Sequence, residues 1–212
     1  MRRCRSALAV TTAIALAAGP TASYASAATY VGTVHGTDAF IAISKDARKI
    51  GGYLCDDGKV SRWIEYKFLH KGRAPLIGGT TGKRLGSVKV AGRVATGRVA
   101  VGGTAKHSFR AVRVSGRNAG LFFGVGKQKD RILVAGWILR PNGTQRGAVS
   151  SVNTRTLGSL PAGPAPRLKP GSERVQLMGD QNQPPVVTEP EHLVVINIIA
   201  ILIALLVPAV QA

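Results

Sequence analysis

Four histidines, His35, His70, His107 and His192, and two cysteines, Cys4 and Cys55, are the side chains best suited to holding a metal. None stands at ligand spacing from another. HxxxH, HExxH and paired CxxC are all absent, so a metal site would need assembly by tertiary proximity alone. No metal or other cofactor is therefore expected. Asp38, Asp56, Asp57 and Glu65 are the candidate catalytic acids. A glycoside hydrolase needs two carboxylates facing each other across a cleft. Asp56 and Asp57 are consecutive, would point to opposite faces of a strand, and before Gly58 fit a turn better. No GxSxG occurs, and Gly78-Gly-Thr-Thr-Gly-Lys83 lacks the GxxxxGK[ST] spacing of a phosphate loop. The chain is expected to be non-catalytic, with an enzyme built on Asp38, Asp56 or Glu65 as an alternative.

Charge carries more information. The 212 residues include 29 Lys+Arg and 10 Asp+Glu. From Tyr66 to Lys129 there is no acid, yet fourteen residues are Lys or Arg. Lys89, Arg93, Arg98, Lys106, Arg110 and Arg113 are the candidate anion-binding residues within that run. On adjacent antiparallel strands, residues of one parity share a face, so Lys89, Arg98 and Arg110 can form a stripe. Such a field draws polyanions at long range and weakens with salt. The alternative is a solvated basic surface that serves solubility. Specific nucleic-acid binding is not expected, because base stacking wants aromatics among the cations. Phe68, Phe109, Phe122 and Phe123 read instead as core. Trp63 and Trp137, each inside a strand-like segment, suggest a second alternative, a small apolar ligand held within a barrel.

These residues must be positioned by strands. Residues 28–156 lack a sustained 3.6-residue apolar period, and frequent glycines weaken helices. Strands are expected near 29–35, 38–44, 49–56, 60–69, 73–78, 84–91, 93–101, 105–114, 120–127, 131–140 and 145–152. Asp57-Gly58, Gly102-Gly103, Asn118-Ala119-Gly120 and Asn142-Gly143 mark turns, the Asp-Gly and Asn-Gly pairs suiting tight hairpins. Short connections make successive strands antiparallel neighbours. A large apolar residue, a glycine and a valine recur in Tyr30–Val34, Arg84–Val88 and Phe122–Val125. Glycine within a strand marks a bend or a close backbone approach. The expected fold is all-β, an antiparallel meander closing as an up-and-down β-barrel, with a β-sandwich as the alternative.

The ends of the chain speak to location. Arg2, Arg3 and Arg5 precede an apolar run from Ala7 to Ala18, Gly19-Pro20 breaks it, and Ala25-Ser26-Ala27 offers small residues for cleavage. Residues 1–27 are therefore read as a secretory signal peptide. Arg2-Arg3 raises the twin-arginine route, but Cys4-Arg5-Ser6 follows where a large apolar residue belongs, so the general route is expected. Loss of the signal removes Arg2, Arg3 and Arg5 and leaves 26 basic residues against 10 acids. It also leaves Cys55 alone, expected as a buried core thiol rather than a nucleophile beside Asp56 and Asp57.

Residues 157–192 carry seven prolines, with Gly, Ser and Gln between them, and read as a disordered, extended linker. Residues 193–212 contain no charge and are long enough to span a bilayer as a helix. The stretch Glu191-His-Leu-Val-Val-Ile-Asn-Ile-Ile-Ala-Ile-Leu-Ile-Ala-Leu-Leu-Val-Pro-Ala-Val-Gln-Ala212 resembles the N-terminal helix of type IV prepilins and pseudopilins. It departs from that pattern at His192, Asn197 and Val207 only. Glu191 and Thr188 match the family's glutamate and threonine, while Val186 stands where the processing glycine belongs. The resemblance implies an apolar membrane helix, and its place at the end of this chain separates it from prepilin processing and fibre assembly. Gly136–Gly147 and Tyr53–Gly58 are similar to uncharacterised secreted bacterial domains, which implies export and β structure. Together these readings describe an extracytoplasmic, membrane-anchored β domain for an anionic polysaccharide or lipid head groups, with a fully secreted protein as the alternative.

Overall fold

The computed structural model describes residues 27–116, 118–156, 159–169, 174–178 and 184–192. All regular structure among them is antiparallel β. No helix among the described residues is long and apolar enough to cross a membrane. Apart from Ala27, the signal segment 1–27 lies outside the described residues, as does the apolar segment 193–212.

The first sheet contains β1 (Ala28–Val34), β2 (Phe40–Asp46), β3 (Lys49–Cys55), β4 (Ser61–Phe68), β5 (Arg73–Ile77), β6 (Arg84–Ala91), β7 (Val94–Ala100) and β8 (Lys106–Val114). Consecutive strands pair throughout except across β4 and β5, and β8 returns to β1 from Thr29↔Val114 to Val34↔Phe109. The β4–β5 seam is held by the bridge Ile64↔Gly78 and by the Gly79 N–H donating to the Trp63 carbonyl at 2.8 Å. The result is a nearly closed up-and-down barrel. Its interior is filled by side chains such as Ile41, Ile43, Leu54, Leu76, Val99 and Phe109, as eight strands of this size require.

Closure depends on close backbone approach at four glycines. A Cβ on Gly32, Gly52, Gly86 or Gly97 would overlap the main chain of the neighbouring strand, at Arg110, Ala42, Arg98 and Ser87 respectively. Only a residue without a side chain fits there, so the strands can coil tightly enough to meet.

The remaining strands do not join the barrel; β8, which leads into them, is already paired with β7 and β1. β9 (Gly120–Gln128), β10 (Arg131–Leu139) and β11 (Gln145–Asn153) start a second sheet, which β12 (Ser159–Pro164) extends. A hairpin of β13 (Val175–Leu177) and β14 (Val186–Thr188) comes next, and β15 (Glu191–His192) pairs with the free edge of β9. All eleven expected strands occur, with ends within two residues of those expected, but they divide eight and three between two sheets rather than forming one barrel over 28–156. One face of the second sheet covers the outside of the first barrel strands: Leu121, Phe123, Ile138 and Ala148 pack on Val31, Phe40, Ala42, Tyr53 and Cys55.

The proline-rich segment is the larger departure from expectation. Its described residues are not a detached linker but a strap over the other face of the second sheet. Leu168, Val175 and Leu177 are buried there against Phe122, Leu133, Trp137 and Val149. Few apolar residues suffice, because the sheet supplies the rest of the cluster. Side chains also satisfy the strap's backbone. Gln145 donates Nε2–H to the Leu168 carbonyl (3.0 Å) and accepts the Leu168 N–H at Oε1 (2.9 Å). Trp137 Nε1–H donates to the Pro166 carbonyl and Gln128 Nε2–H to the Pro184 carbonyl, both at 2.8 Å. Thr188 Oγ1–H donates back to the Val125 carbonyl at 2.9 Å.

Two substitutions test this architecture by urea denaturation. Gly86→Ala should lower stability by at least about 2 kcal/mol, because a methyl group cannot enter without moving the β6–β7 backbone. Gln145→Ala should cost about 1–3 kcal/mol by leaving the Leu168 amide and carbonyl unpaired.

Candidate functional site

The second sheet packs on β1–β4, so the outer face of β5–β8 stays in water. That exposure explains the composition of these strands. In β8, Phe109 and Ala111 point inward while Lys106, Ser108 and Arg110 point out. Across the face, Arg73 stands opposite Lys89, Lys89 opposite Thr96, and Thr96 opposite Arg110. With strands about 4.8 Å apart, the row spans about 14 Å. Arg98 lies on the same face, opposite Ser87 and Ser108, and its Nη2 donates to the Lys106 carbonyl at 3.0 Å.

A groove of about 700 Å³ runs along this face, lined in part by His70, Lys71, Arg73, Arg84, Lys89 and Arg98. The β4–β5 turn places Lys71 at its tip: Lys71 and Gly72 have φ of 48° and 72°, and His70 and Arg73 exchange both backbone hydrogen bonds at 2.8 and 2.9 Å. Positive φ at both central positions is the tight hairpin geometry that follows strand twist. Among the described residues, the ion pairs are Lys67–Glu65, Arg146–Asp57 and Arg174–Glu189, and none involves this groove. Its cations face solvent without carboxylate partners.

The six candidate anion-binding residues therefore divide. Lys89, Arg98, Lys106 and Arg110 share the outer face. Arg93 and Arg113 sit at one end of the barrel, where the Arg113 N–H donates to the Arg93 carbonyl at 2.8 Å and the Tyr30 hydroxyl donates to the Gly92 carbonyl at 3.0 Å. Arg113 has the parity of Phe109 and Ala111, which removes it from the outer row. Arg73, Arg84, Lys71 and His70 join the groove, although charge pattern alone does not single them out. Their membership comes from the β5–β6 register, which the acid-free run could not supply. Of the aromatics, Phe109, Phe122 and Phe123 are buried as expected, but Phe68 is 68% exposed, with the Lys49 ammonium 5.1 Å from its ring centroid.

Trp63 and Trp137 do not line one cavity. Trp63 faces out because it stands opposite the outward Tyr53, and an irregularity in the β3–β4 register between Ile50 and Gly52 brings Tyr66 to the same side. Trp63 packs on Tyr53 there, with ring centroids 4.3 Å apart, and Gly136 of the second sheet leaves room for both rings. Trp137 faces the opposite side of that sheet, under the strap. The barrel interior that would have held an apolar ligand is occupied by its own side chains.

Three of the four candidate acids have partners for their carboxylates, and Asp38 takes part through its main chain. Asp56 Oδ1 accepts the N–H groups of Lys59 and Val60 at 2.9 and 2.7 Å, closing the turn into β4. Asp57 Oδ1 accepts the Gly147 N–H at 2.9 Å, and its Oδ2 lies 2.8 Å from Arg146 Nη1, tying barrel to second sheet. Glu65 pairs with Lys67 at 3.0 Å, and the Asp38 carbonyl accepts Arg146 Nε–H at 3.2 Å. Cys55 is buried, and burial first, then the Asp57 and Asp56 carboxylates, push its thiol well up. Among the described residues, no three His, Cys, Asp or Glu side chains converge to hold a metal. Burial likewise raises Tyr53, with Cys55 adding to it, and Tyr66, with Asp46 adding to it. The Tyr53 hydroxyl is 2.8 Å from Ser61 Oγ, whereas those of Ser44 and Tyr66 are buried without a hydrogen-bond partner.

No protein-family profile, curated protein or solved structure matches the chain.

The buried acids generate two measurable outcomes. Iodoacetamide at pH 8 should leave Cys55 unmodified in the folded protein and alkylate it in urea. Cys55, Tyr53 and Tyr66 each hold their proton more tightly folded than unfolded. The unfolded chain releases these protons first, so stability is intact below about pH 8.5 and falls as pH climbs through the unfolded values, about 8.5 for Cys and 10 for Tyr. Tyr66→Phe should flatten the decline above pH 10 and cost little at pH 7, which urea titrations at both pH values would show.

Proposed function

We propose that the chain is an exported, non-catalytic β domain that holds an anionic component of the bacterial envelope on the outer face of β5–β8. The observation that carries this reading is the cross-strand row Arg73–Lys89–Thr96–Arg110, with Arg84 and Arg98 beside it, none of them ion-paired to a carboxylate among the described residues. A row about 14 Å long suits a polymer with repeated negative groups, or a sheet of lipid head groups, better than one small anion. The absence of Phe, Tyr and Trp among the groove's lining residues favours these over single-stranded nucleic acid. The charge pattern of residues 1–27 supports export, and the uncharged stretch 193–212, with its likeness to a prepilin helix, supports a membrane tether beyond β15. In this arrangement the barrel stands outside the membrane with its basic face open.

The test is equilibrium binding to polygalacturonate and to vesicles containing phosphatidylglycerol, each at 50 and 300 mM salt. Wild-type protein should bind at low salt and weaken by at least about tenfold at high salt. The triple variant R73Q/K89Q/R110Q should lose about tenfold or more at 50 mM. Binding that ignores salt, or a triple variant that binds as wild type does, would remove the proposal. Mass spectrometry of the cell-associated protein should find an amino terminus at Ala28 and require detergent for release.

A further inference from the structure

A second cleft lies where the barrel meets the turn between β10 and β11. It holds about 420 Å³ and is lined by Val31 and Val112 from the barrel, with Arg110 and His35 on one side and Arg140 on the other. The second sheet stops short here. Val114 packs beneath it, but Val112, two residues earlier on the same face of β8, is 42% exposed. Val112 is thus left open in a cleft that Arg110 of the barrel and Arg140 of the β10–β11 turn both line.

Arg140 is held in place without a negative partner. Its guanidinium carbon lies 5.3 Å from the Phe40 ring centroid, and Nη1 is 3.4 Å from Thr144 Oγ1. The turn beneath it is stiff: the Arg140 N–H donates to the Thr144 carbonyl at 2.9 Å, the Gly143 N–H returns to the Arg140 carbonyl at 3.0 Å, and Asn142 Oδ1 accepts the Thr144 hydroxyl at 2.7 Å. Arg146, on the same Phe40 ring, spends its charge on Asp57. No carboxylate among the described residues forms an ion pair with Arg110 or Arg140.

We propose that this cleft between barrel and second sheet binds a small amphiphilic anion, a carboxylate or phosphate head gripped by Arg110 and Arg140 with a short apolar body on Val31 and Val112. Two planar guanidinium groups lining one cleft suit a head of either type, because each can donate paired N–H bonds to it. The exposed Val112, with the buried Val31 behind it, selects against a purely polar anion. The proposal stands independently of polymer binding on the open face, sharing only Arg110 with it.

Calorimetric titration of the full chain with octanoate and with octyl phosphate, both below their micelle concentrations, tests it. Octanol and inorganic phosphate serve as the body alone and the head alone. At least one amphiphilic anion should bind, at least about tenfold more tightly than either control, and the stronger of the two identifies the head. R140Q should weaken that binding by about tenfold or more, the worth of one charge-assisted contact, while R73Q/K89Q should leave it within twofold of wild type. Val112→Asp should abolish it while leaving the far-ultraviolet spectrum unchanged. Octanol binding as tightly as the anions, or R140Q binding like wild type, would overturn the proposal. So would loss in R73Q/K89Q as large as in R140Q, which would place the anion on the open face.

Discussion

The whole architecture depends on backbone meeting backbone at Gly32, Gly52, Gly86 and Gly97. Where a side chain would otherwise hold adjacent strands apart, these residues let short strands coil until β8 finds β1. Closure then dictates the path of the later strands. Once β1 and β8 are each hydrogen-bonded on both edges, the next strand finds no place beside them, and β9 begins another sheet. The second sheet settles over β1–β4, where Val31, Phe40, Ala42, Tyr53 and Cys55 face outward, and leaves most of the outer face of β5–β8 wet. The location of the basic face is thus a consequence of where the barrel closes, not a separate feature laid on top of it.

The same division explains how much could be read from the sequence. Ile50-Gly-Gly-Tyr-Leu-Cys55 carries apolar or small residues on both parities and is buried on both faces. Lys106-His-Ser-Phe-Arg-Ala111 alternates and is buried on one. Periodicity therefore located every strand through β11, and glycine spacing pointed to the bends. What periodicity cannot encode is partnership at long range. The return of β8 to β1 joins residues some eighty positions apart in sequence, so the barrel read as longer than it is. Local patterns were equally silent on the β3–β4 irregularity that brings Tyr66 to the side of Trp63, and on the β5–β6 pairing that brings Arg73 beside Lys89.

The strap shows the limit of composition as a guide. Seven prolines and few large apolar residues describe a segment unable to build its own core, and that remains true of it. It packs because Trp137, Leu133, Phe122 and Val149 offer a ready apolar surface, and because Gln128, Trp137 and Gln145 act as hydrogen-bonding partners that a second strand would otherwise provide. Side chains in one segment answering main-chain groups in another leave no periodic trace in either. Proline suits such a path, since each one removes an amide that would need a partner.

The position of the strap after the sheet it covers sets an order of events as the chain emerges from its amino terminus. The barrel holds its complete complement of strands once Val114 is free, and its own interior needs nothing further along. The face bearing Trp137 and Leu133 is made much earlier than Leu168, Val175 and Leu177, which shield it. For that interval a nascent molecule carries a finished, water-ready half and a sticky, incomplete one. The second half is closed only when Leu168, Val175 and Leu177 arrive to cover it.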